Sequence, residues 1–356
     1  MKAKNSFRLD KMMLSYASNA VLSKARALYG KQISPKAYDE LLSCREVADI
    51  ASYLKRKTSY GNVLANINEN SVHRAELEER LKLKLFEDFE SLGRYDLWVG
   101  EHFFEYIIAR AEIEQIMHSL MLLSAGESGE YIHSIPGFFY SHSKFDIRAL
   151  EHIKTFDEFM KIIKKSPYYK IILPFKPVSD RQINLTAVET ALYNYLYDVV
   201  FDIINKYVKG KPRQELIDFF NMYIDLTNLV RIVRMKKFYN LSEEYMVSGL
   251  INHGTLSDDK LKEFITCPDN KKMMADMKNT KMGRKWFSKG LDVIDKVPTN
   301  MRFNWCRHNI RFSVSPPVVL ISYIFLKEVE ILNLTNIIEG VKYNLPPDEI
   351  KKMLIV

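Results

Sequence analysis

An acid followed three residues later by an amide recurs along this chain, and each time the segment beyond it runs into the same short phrase. Asp225-Leu-Thr-Asn228-Leu-Val-Arg-Ile232, continuing to Ser242-Glu-Glu-Tyr245, lies against Glu330-Ile-Leu-Asn333-Leu-Thr-Asn-Ile337, continuing to Pro347-Asp-Glu-Ile350, at an offset of 105 residues without a gap. A fainter copy starts at Glu112-Ile-Glu-Gln115-Ile116. Its continuation, Ser128-Gly-Glu130-Tyr131-Ile-His-Ser134, meets Ser242-Glu-Glu-Tyr245-Met-Val-Ser248 at an offset of 114, as do Ser143 with Ser257 and Ile147 with Leu261. An upstream phrase keeps the same order: Leu54 to Thr58 with Tyr60-Gly61, Ile162 to Ser166 with Tyr168-Tyr169, and Met277 to Thr280 with Met282-Gly283. A repeat of this length means stacked copies of one helical unit, each too small to bury its apolar face alone.

The period of the apolar residues says what the copies are made of. Leu14, Ala17, Val21, Ala25 and Leu28 form one helical stripe that Gly30 ends, and Ser34-Pro35 opens the next helix as N-cap and first helical residue. Val47, Ile50, Ala51 and Leu54 make another stripe. Residues 72–92 and 98–123 predict two long helices, and residues 185–208 and 213–238 a comparable pair joined by Lys209-Gly-Lys-Pro212. Short connections between long helices imply antiparallel neighbours. With 13 glycines and 12 prolines in 356 residues, a loop-rich β architecture is disfavoured. The punctuated stretches Ser134-Ile-Pro-Gly137, Leu173-Pro-Phe-Lys-Pro177 and Asn252-His-Gly254 mark junctions. The expectation is an all-α protein of three packed helical repeat units, residues 1–135, 136–253 and 254–356.

Location and partners are bounded more loosely. The first ten residues lack the apolar core of a signal peptide, and Cys44, Cys267 and Cys306 are odd in number and far apart, which fits a reducing cytosol. The uncharged run Phe312–Leu326 is interrupted by Pro316-Pro317 and is shorter than the ~20 residues needed to span a bilayer, so it reads as a buried helix. A net charge of +8 and a pI near 9.0 suit an acidic partner, an anionic membrane surface or nucleic acid. No basic ribbon interleaved with aromatics occurs, so a nucleic-acid partner is not expected.

Catalytic readings fare badly. There is no glycine-rich phosphate loop ending in Lys and Ser or Thr, no dinucleotide fingerprint and no His-Glu-x-x-His helix. Glu114 and His118 miss the Glu-x-x-His spacing of di-iron bundles by one residue, and Glu101, His102 and Glu105 have no matching second set, which leaves them a solvated face. Neither a cofactor nor a metal is expected.

The amides are the residues to explain. Asn228 and Asn333, with Gln115 in the weaker copy, sit inside predicted helices, where asparagine is an indifferent choice. An amide both donates and accepts, so one per unit can tie its helix to the backbone of a neighbour; a surface polar residue without energetic role is the competing reading. Tyr60, Tyr168 and Met282, at the repeated turn, read as core plugs. Arg231, Arg234, Lys236 and Lys237 follow the second amide. Further basic residues come at Lys271, Lys272, Lys278, Lys281, Arg284, Lys285 and Lys289, and Arg307 and Arg311 share a helical face. Such runs usually form a solvated surface; the alternative is a face docked on an acidic partner or near lipid headgroups.

These phrases resemble a known family, the C subunit of the archaeal and bacterial A/V-type ATPases, equivalent to the d subunit of the vacuolar enzyme. The closing run Glu328-Val-Glu330-Ile-Leu-Asn333 through Gly340, Lys342, Pro346-Pro347 and Ile350 looks like its C-terminal signature, and Tyr16-Ala17, Ala25-Arg26-Ala27, Tyr38 to Leu42 and Tyr60-Gly61 agree at the other end. Thr335 and Asn336 stand where the family often has an arginine, and Gln115 replaces asparagine.

The resemblance implies a funnel-like, all-helical body in which the three units are pseudo-threefold related, without an active site. It further implies single-copy placement in a hetero-oligomeric complex on the cytoplasmic side of the membrane, with central-stalk subunits and the membrane proteolipid ring as partners and peripheral contact with the membrane surface. Lys281, Arg284 and Lys285 are the candidate ring- or membrane-facing residues. A helical-repeat adaptor of another assembly, holding a protein helix in its concave surface, is the alternative, and an enzyme with an unrecognised helical site a third.

Overall fold

The computed structural model describes residues 19–69, 71–93, 100–126, 137–178, 182–238, 241–279, 284 and 295–356. Every regular element among them is helical. In chain order these are α1 (19–29), α2 (Pro35–Leu42), α3 (Val47–Lys57), α4 (Arg74–Gly93), α5 (Gly100–Ala125), α6 (Gly137–His142), α7 (Phe156–Ile162), α8 (Tyr168–Ile172), α9 (Leu185–Tyr207), α10 (Lys211–Phe238), α11 (Glu243–Ser248), α12 (Asp258–Thr266), α13 (Asn270–Asn279), α14 (Val297–Phe312), α15 (Pro316–Lys342) and α16 (Pro347–Met353), with short 3-10 turns between. The long helices fall within a few residues of the predicted spans. The start of the first apolar stripe, Leu14 and Ala17, lies outside the described residues, as does Trp98.

Local chemistry sets many of the boundaries. Ser34 accepts the Ala37 amide proton and Pro35 follows it, while Glu46 and Asp49 close a capping box at the head of α3. Asn184, Ser242 and Ser257 cap α9, α11 and α12 by the same side-chain to backbone bond. The repeated phrase at Ser242 and Pro347 is therefore the head of a short helix, with Glu243 and Glu244, or Asp348 and Glu349, in the first turn, where the helix dipole favours acids. Pro316-Pro317 opens α15 instead of interrupting a helix, because proline's missing N–H costs nothing in a first turn.

The chain forms two compact units: residues 1–104, 130–142 and 303–356 make one, and residues 105–129 and 143–302 the other. In the first, α15 is apolar nearly all round and buried along its length, the signature of a central helix. Its residues Ile331, Leu334, Ile337, Ile338 and Val341 share one core with Ile33, Leu41, Ile50, Leu54, Tyr60, Leu77 and Leu81 of the N-terminal helices. Gly340 admits Ile350 of α16, since a Cβ there would stand 2.5 Å from an Ile350 side-chain carbon. The second unit packs α8 on α9, α9 on α10, and α12 and α13 on α10. Among the described residues no helix is long and apolar enough to cross a membrane.

Candidate functional site: buried acid and amide clamps

Each acid of the repeated acid–amide pair is buried and accepts backbone N–H groups from the segment that leads into a capped helix. Glu330, 4% exposed, accepts from Ile33 N at 2.8 Å, one residue before the Ser34 cap. Glu112, fully buried, accepts from Lys144 N at 2.5 Å and Ser143 Oγ at 2.8 Å, two residues before the Asp146 cap. Asp225 accepts from Thr255 N at 3.0 Å, Leu256 N at 3.1 Å and Thr255 Oγ1 at 2.6 Å, just before the Ser257 cap. A carboxylate suits this task because it takes several donors at once in a place water does not reach.

Two of the acids are also met by the tyrosine of the repeated turn. Tyr60 donates to Glu330 Oε1 and Tyr168 to Glu112 Oε2, both at 2.7 Å, and both rings are fully buried. Burial, then the neighbouring carboxylate, pushes each phenol well above its ordinary range. Met282, the third residue of this set, lies outside the described residues. At Asp225 the backbone itself comes close: Gly254 has φ +93°, and a Cβ there would stand 2.2 Å from Asp225 Oδ1. Glycine removes both the backbone strain and the clash.

The amides grip the chain beyond their own helix. Asn228 donates to Ile251 O at 2.8 Å and accepts from Ile251 N at 2.8 Å. Asn333 makes the same pair with Ile355, at 2.8 and 2.9 Å. Each side chain thus acts as a peptide unit, satisfying one donor and one acceptor that would otherwise be buried unpaired. Gln115 is buried as well, and the segment 127–136 that follows its helix lies outside the described residues.

Around Glu330 the first unit adds a feature that periodicity does not expose. Lys327, 1% exposed on the apolar α15, donates to Glu330 Oε1 at 2.6 Å and lies 3.9 Å from Asp88 and 4.4 Å above the Tyr60 ring. Asp88 is closed by Lys84 at 2.5 Å and by Tyr323 OH at 2.6 Å. Two carboxylates and two ammonium groups balance, with phenols filling remaining acceptor positions. Burial and Asp88 push the Tyr323 phenol far up, and burial with Glu330 does the same to Tyr38. The available signal is a lysine ending an otherwise uncharged helical run, with an acid three residues on: a charge so placed is buried in a pair.

Two basic residues expected on a solvated surface are instead anchors. Arg231 donates to Gly249 O at 2.8 Å and Thr190 Oγ1 at 3.1 Å and pairs with Glu189 at 3.2 Å. Lys236 donates to Phe264 O at 3.0 Å, Ile265 O at 2.6 Å and Cys267 O. It closes the C-terminal end of α12, where carbonyls lack helical partners and a cation is favoured. Desolvation holds the Lys236 ammonium below its ordinary pKa. Arg234 is exposed beside Asp295 at 3.7 Å, and Arg284 is exposed; Lys281, Lys285 and Lys289 lie outside the described residues.

Chemically these clamps are closed. Their carboxylates are taken up by backbone, hydroxyl and ammonium donors, and among the described residues no group of three or more His, Cys, Asp or Glu is arranged to hold a metal. They hold distant segments of chain in register.

Residues 21–353 match the family described as ATP synthase (C/AC39) subunit. The chain is 22% identical over 340 residues to the C subunit of the A-type ATP synthase of Desulfurococcus sp. (strain SY), covering 93% of this chain and 88% of that protein. It is 23% identical over 350 residues to the A-type ATP synthase C subunit of Methanosphaera stadtmanae, covering 94% and 86%, and 22% identical over 342 residues to that of Pyrococcus abyssi, covering 93% and 88%. The family match spans nearly the whole chain, and the chain belongs to the ATP synthase (C/AC39) subunit family.

Proposed function

We propose that this chain is the non-catalytic central-rotor subunit of an A/V-type rotary ATPase, joining the central stalk to the membrane proteolipid ring and passing torque between them during ATP-driven proton or sodium transport, or ATP synthesis. In this reading it is present once per complex, peripheral on the cytoplasmic side of the membrane, and binds no nucleic acid. It is built as three pseudo-threefold related units, residues 1–135, 136–253 and 254–356, that shape a funnel-like socket.

The observation that carries the reading, beside the family match, is the recurrence of one buried device. Glu112, Asp225 and Glu330 each fix the entry to a capped helix, and Asn228 and Asn333 each fix the exit from the next. Gln115 takes the corresponding place in the first copy. Torque transmission asks for a body that does not shear internally, and buried charge-assisted bonds between distant segments supply resistance to shear. Coverage of 88% and 86% of two relatives that are themselves A-type ATP synthase C subunits supports the same assignment.

A pull-down of the tagged chain from solubilised native membranes tests it, with co-purifying subunits identified by mass spectrometry. Stalk and ring subunits should come down together, and depleting the chain should leave ATP hydrolysis uncoupled from ion transport. Recovery of neither, under conditions that keep rotary complexes whole, overturns it. Lys281, Arg284 and Lys285 are proposed as ring- or membrane-facing; reversing their charge should weaken ring association at low salt, and unchanged association removes them from that role.

A further inference from the structure

Two long stretches of this chain contain no carboxylate. No Asp or Glu occurs between Asp10 and Asp39, or between Asp295 and Glu328, while the first stretch carries Lys24, Arg26 and Lys31 and the second Arg307, His308 and Arg311. In the first compact unit the two stretches meet. Arg26 of α1 donates from Nε to Ile310 O at 2.9 Å and from Nη2 to Ser313 O at 2.6 Å, satisfying carbonyls at the C-terminal end of α14 that the helix leaves open. Arg311 donates to Tyr29 OH at 3.1 Å and lies 5.8 Å from the centre of that ring.

The turn between α14 and α15 is thereby fixed, yet its apolar side chains are in solvent. Phe312 is 69% exposed and Val314 83%. Arg307, His308 and Arg311 are exposed on the last two turns of α14, and the His308 and Phe312 rings lie 5.0 Å apart. Among the described residues, Arg307 and Arg311 make their polar contacts with Asn304 and Tyr29 and pair with no carboxylate.

We propose that this tip, Arg307 to Val314 with Arg26 behind it, docks on an anionic lipid surface. A phenyl and an isopropyl group on a braced turn can enter the boundary between headgroups and acyl chains while the surrounding cations lie against lipid phosphates. An acidic protein partner would answer the charge but would need a pocket shaped to a protruding Phe312 and Val314; a bilayer deforms around them. The surface adds a lipid contact in the first compact unit to the ring- or membrane-facing residues proposed for the second, and takes from the proposed function only its setting beside a membrane.

Cosedimentation of the purified full chain with phosphatidylcholine vesicles, with and without phosphatidylglycerol, tests this. Binding should require phosphatidylglycerol and fall with added salt. R307Q/R311Q should lower the partition coefficient by about fivefold for each charge removed. F312S/V314S should lower it as well while keeping the parent's urea midpoint, because Phe312 and Val314 are exposed. No preference for anionic vesicles, or binding that F312S/V314S leaves untouched, overturns the proposal. Capture of ring subunits by a chain that ignores the vesicles would mean an acidic protein partner instead, and would leave the rotor reading standing. Vesicle binding by a chain that captures no stalk or ring would do the reverse.

Discussion

Glu330 accepts the amide proton of Ile33 at 2.8 Å, joining residues 297 positions apart. The last long helix thus completes the first core of the chain, packing Leu334, Ile337 and Ile338 among Leu41, Ile50 and Leu54. Glu112 and Asp225 serve segments that come after them in sequence, whereas Glu330 serves one that precedes it by most of the chain. The first compact unit is therefore closed by a buried carboxylate from near the end of the chain.

That closure rests on Lys327. Removing its ammonium as Lys327→Met leaves Glu330 and Asp88 buried with too few cations, and should destabilise the protein by ~3–5 kcal/mol, the usual cost of breaking a buried pair from one side. The double variant K327M/E330Q should lose less than the two single variants summed, because it removes the orphaned charge too. Urea unfolding of the four proteins measures this; a K327M cost below about 1 kcal/mol would show that the pair is not desolvated in solution.

Alkaline pH should act on this network, and on the Glu112 clamp, through their phenols. Burial raises the folded-state pKa of Tyr38, Tyr60, Tyr168 and Tyr323 above the ordinary value near ~10. Below that value both states are protonated and these groups add no pH dependence. Above it the unfolded chain ionises and the folded one does not, so stability falls as pH rises toward the folded-state values, by ~1.4 kcal/mol per pH unit for each tyrosine. Tyr60→Phe should reduce that slope by one proton. A slope unchanged by the substitution would mean that Tyr60 ionises freely in the fold.

The pairing of Asp225 and Asn228 with Glu330 and Asn333 is legible in the sequence because it is local: three residues on one helix keep their spacing whatever surrounds them. The cap at Ser34 is legible for the same reason. The partners of the acids are not, since nothing near Glu330 in sequence points to Ile33 or Tyr60. Arg231 and Lys236 pass for solvated surface because the carbonyls that anchor them are backbone groups, which every residue carries and no sequence pattern marks. The proline pair at 316–317 passes for an interruption because helix starts and breaks use the same residue.

Asn228 and Asn333 each satisfy a backbone donor and acceptor, so Asn228→Ala and Asn333→Ala should each cost ~1–3 kcal/mol. Asn333→Asp discriminates further. At neutral pH its carboxylate would face the Ile355 carbonyl, whereas the protonated acid donates to it. Its folded-state pKa should be raised, and its deficit relative to the parent should shrink as pH falls through that value toward about 4. A deficit that is flat with pH would mean that the side chain has turned away from Ile355.

Lys236 holds the carbonyls of Phe264 and Ile265 with a group that burial already disfavours as a cation. Lys236→Met should free that end of α12, raising amide exchange late in residues 258–266 and lowering stability by ~1–3 kcal/mol. Exchange that stays as slow as in the parent would indicate that the helix end is held by its apolar contacts alone.

Gly254 and Gly210 separate backbone strain from clamp geometry. Both have positive φ, +93° and +67°, but a Cβ at Gly210 meets nothing within 4 Å, whereas one at Gly254 stands 2.2 Å from Asp225 Oδ1. Gly210→Ala should therefore cost only the conformational penalty, ~1 kcal/mol. Gly254→Ala adds displacement of the carboxylate, which strands the Thr255 and Leu256 amides it now accepts from, for a further ~1–3 kcal/mol. Amide exchange gives the sharper readout: Thr255 and Leu256 should exchange faster in G254A and at the parental rate in G210A. Equal costs for the two substitutions, with those amides still protected, would mean that Asp225 moves aside without loss and is not the residue fixing the entry to α12.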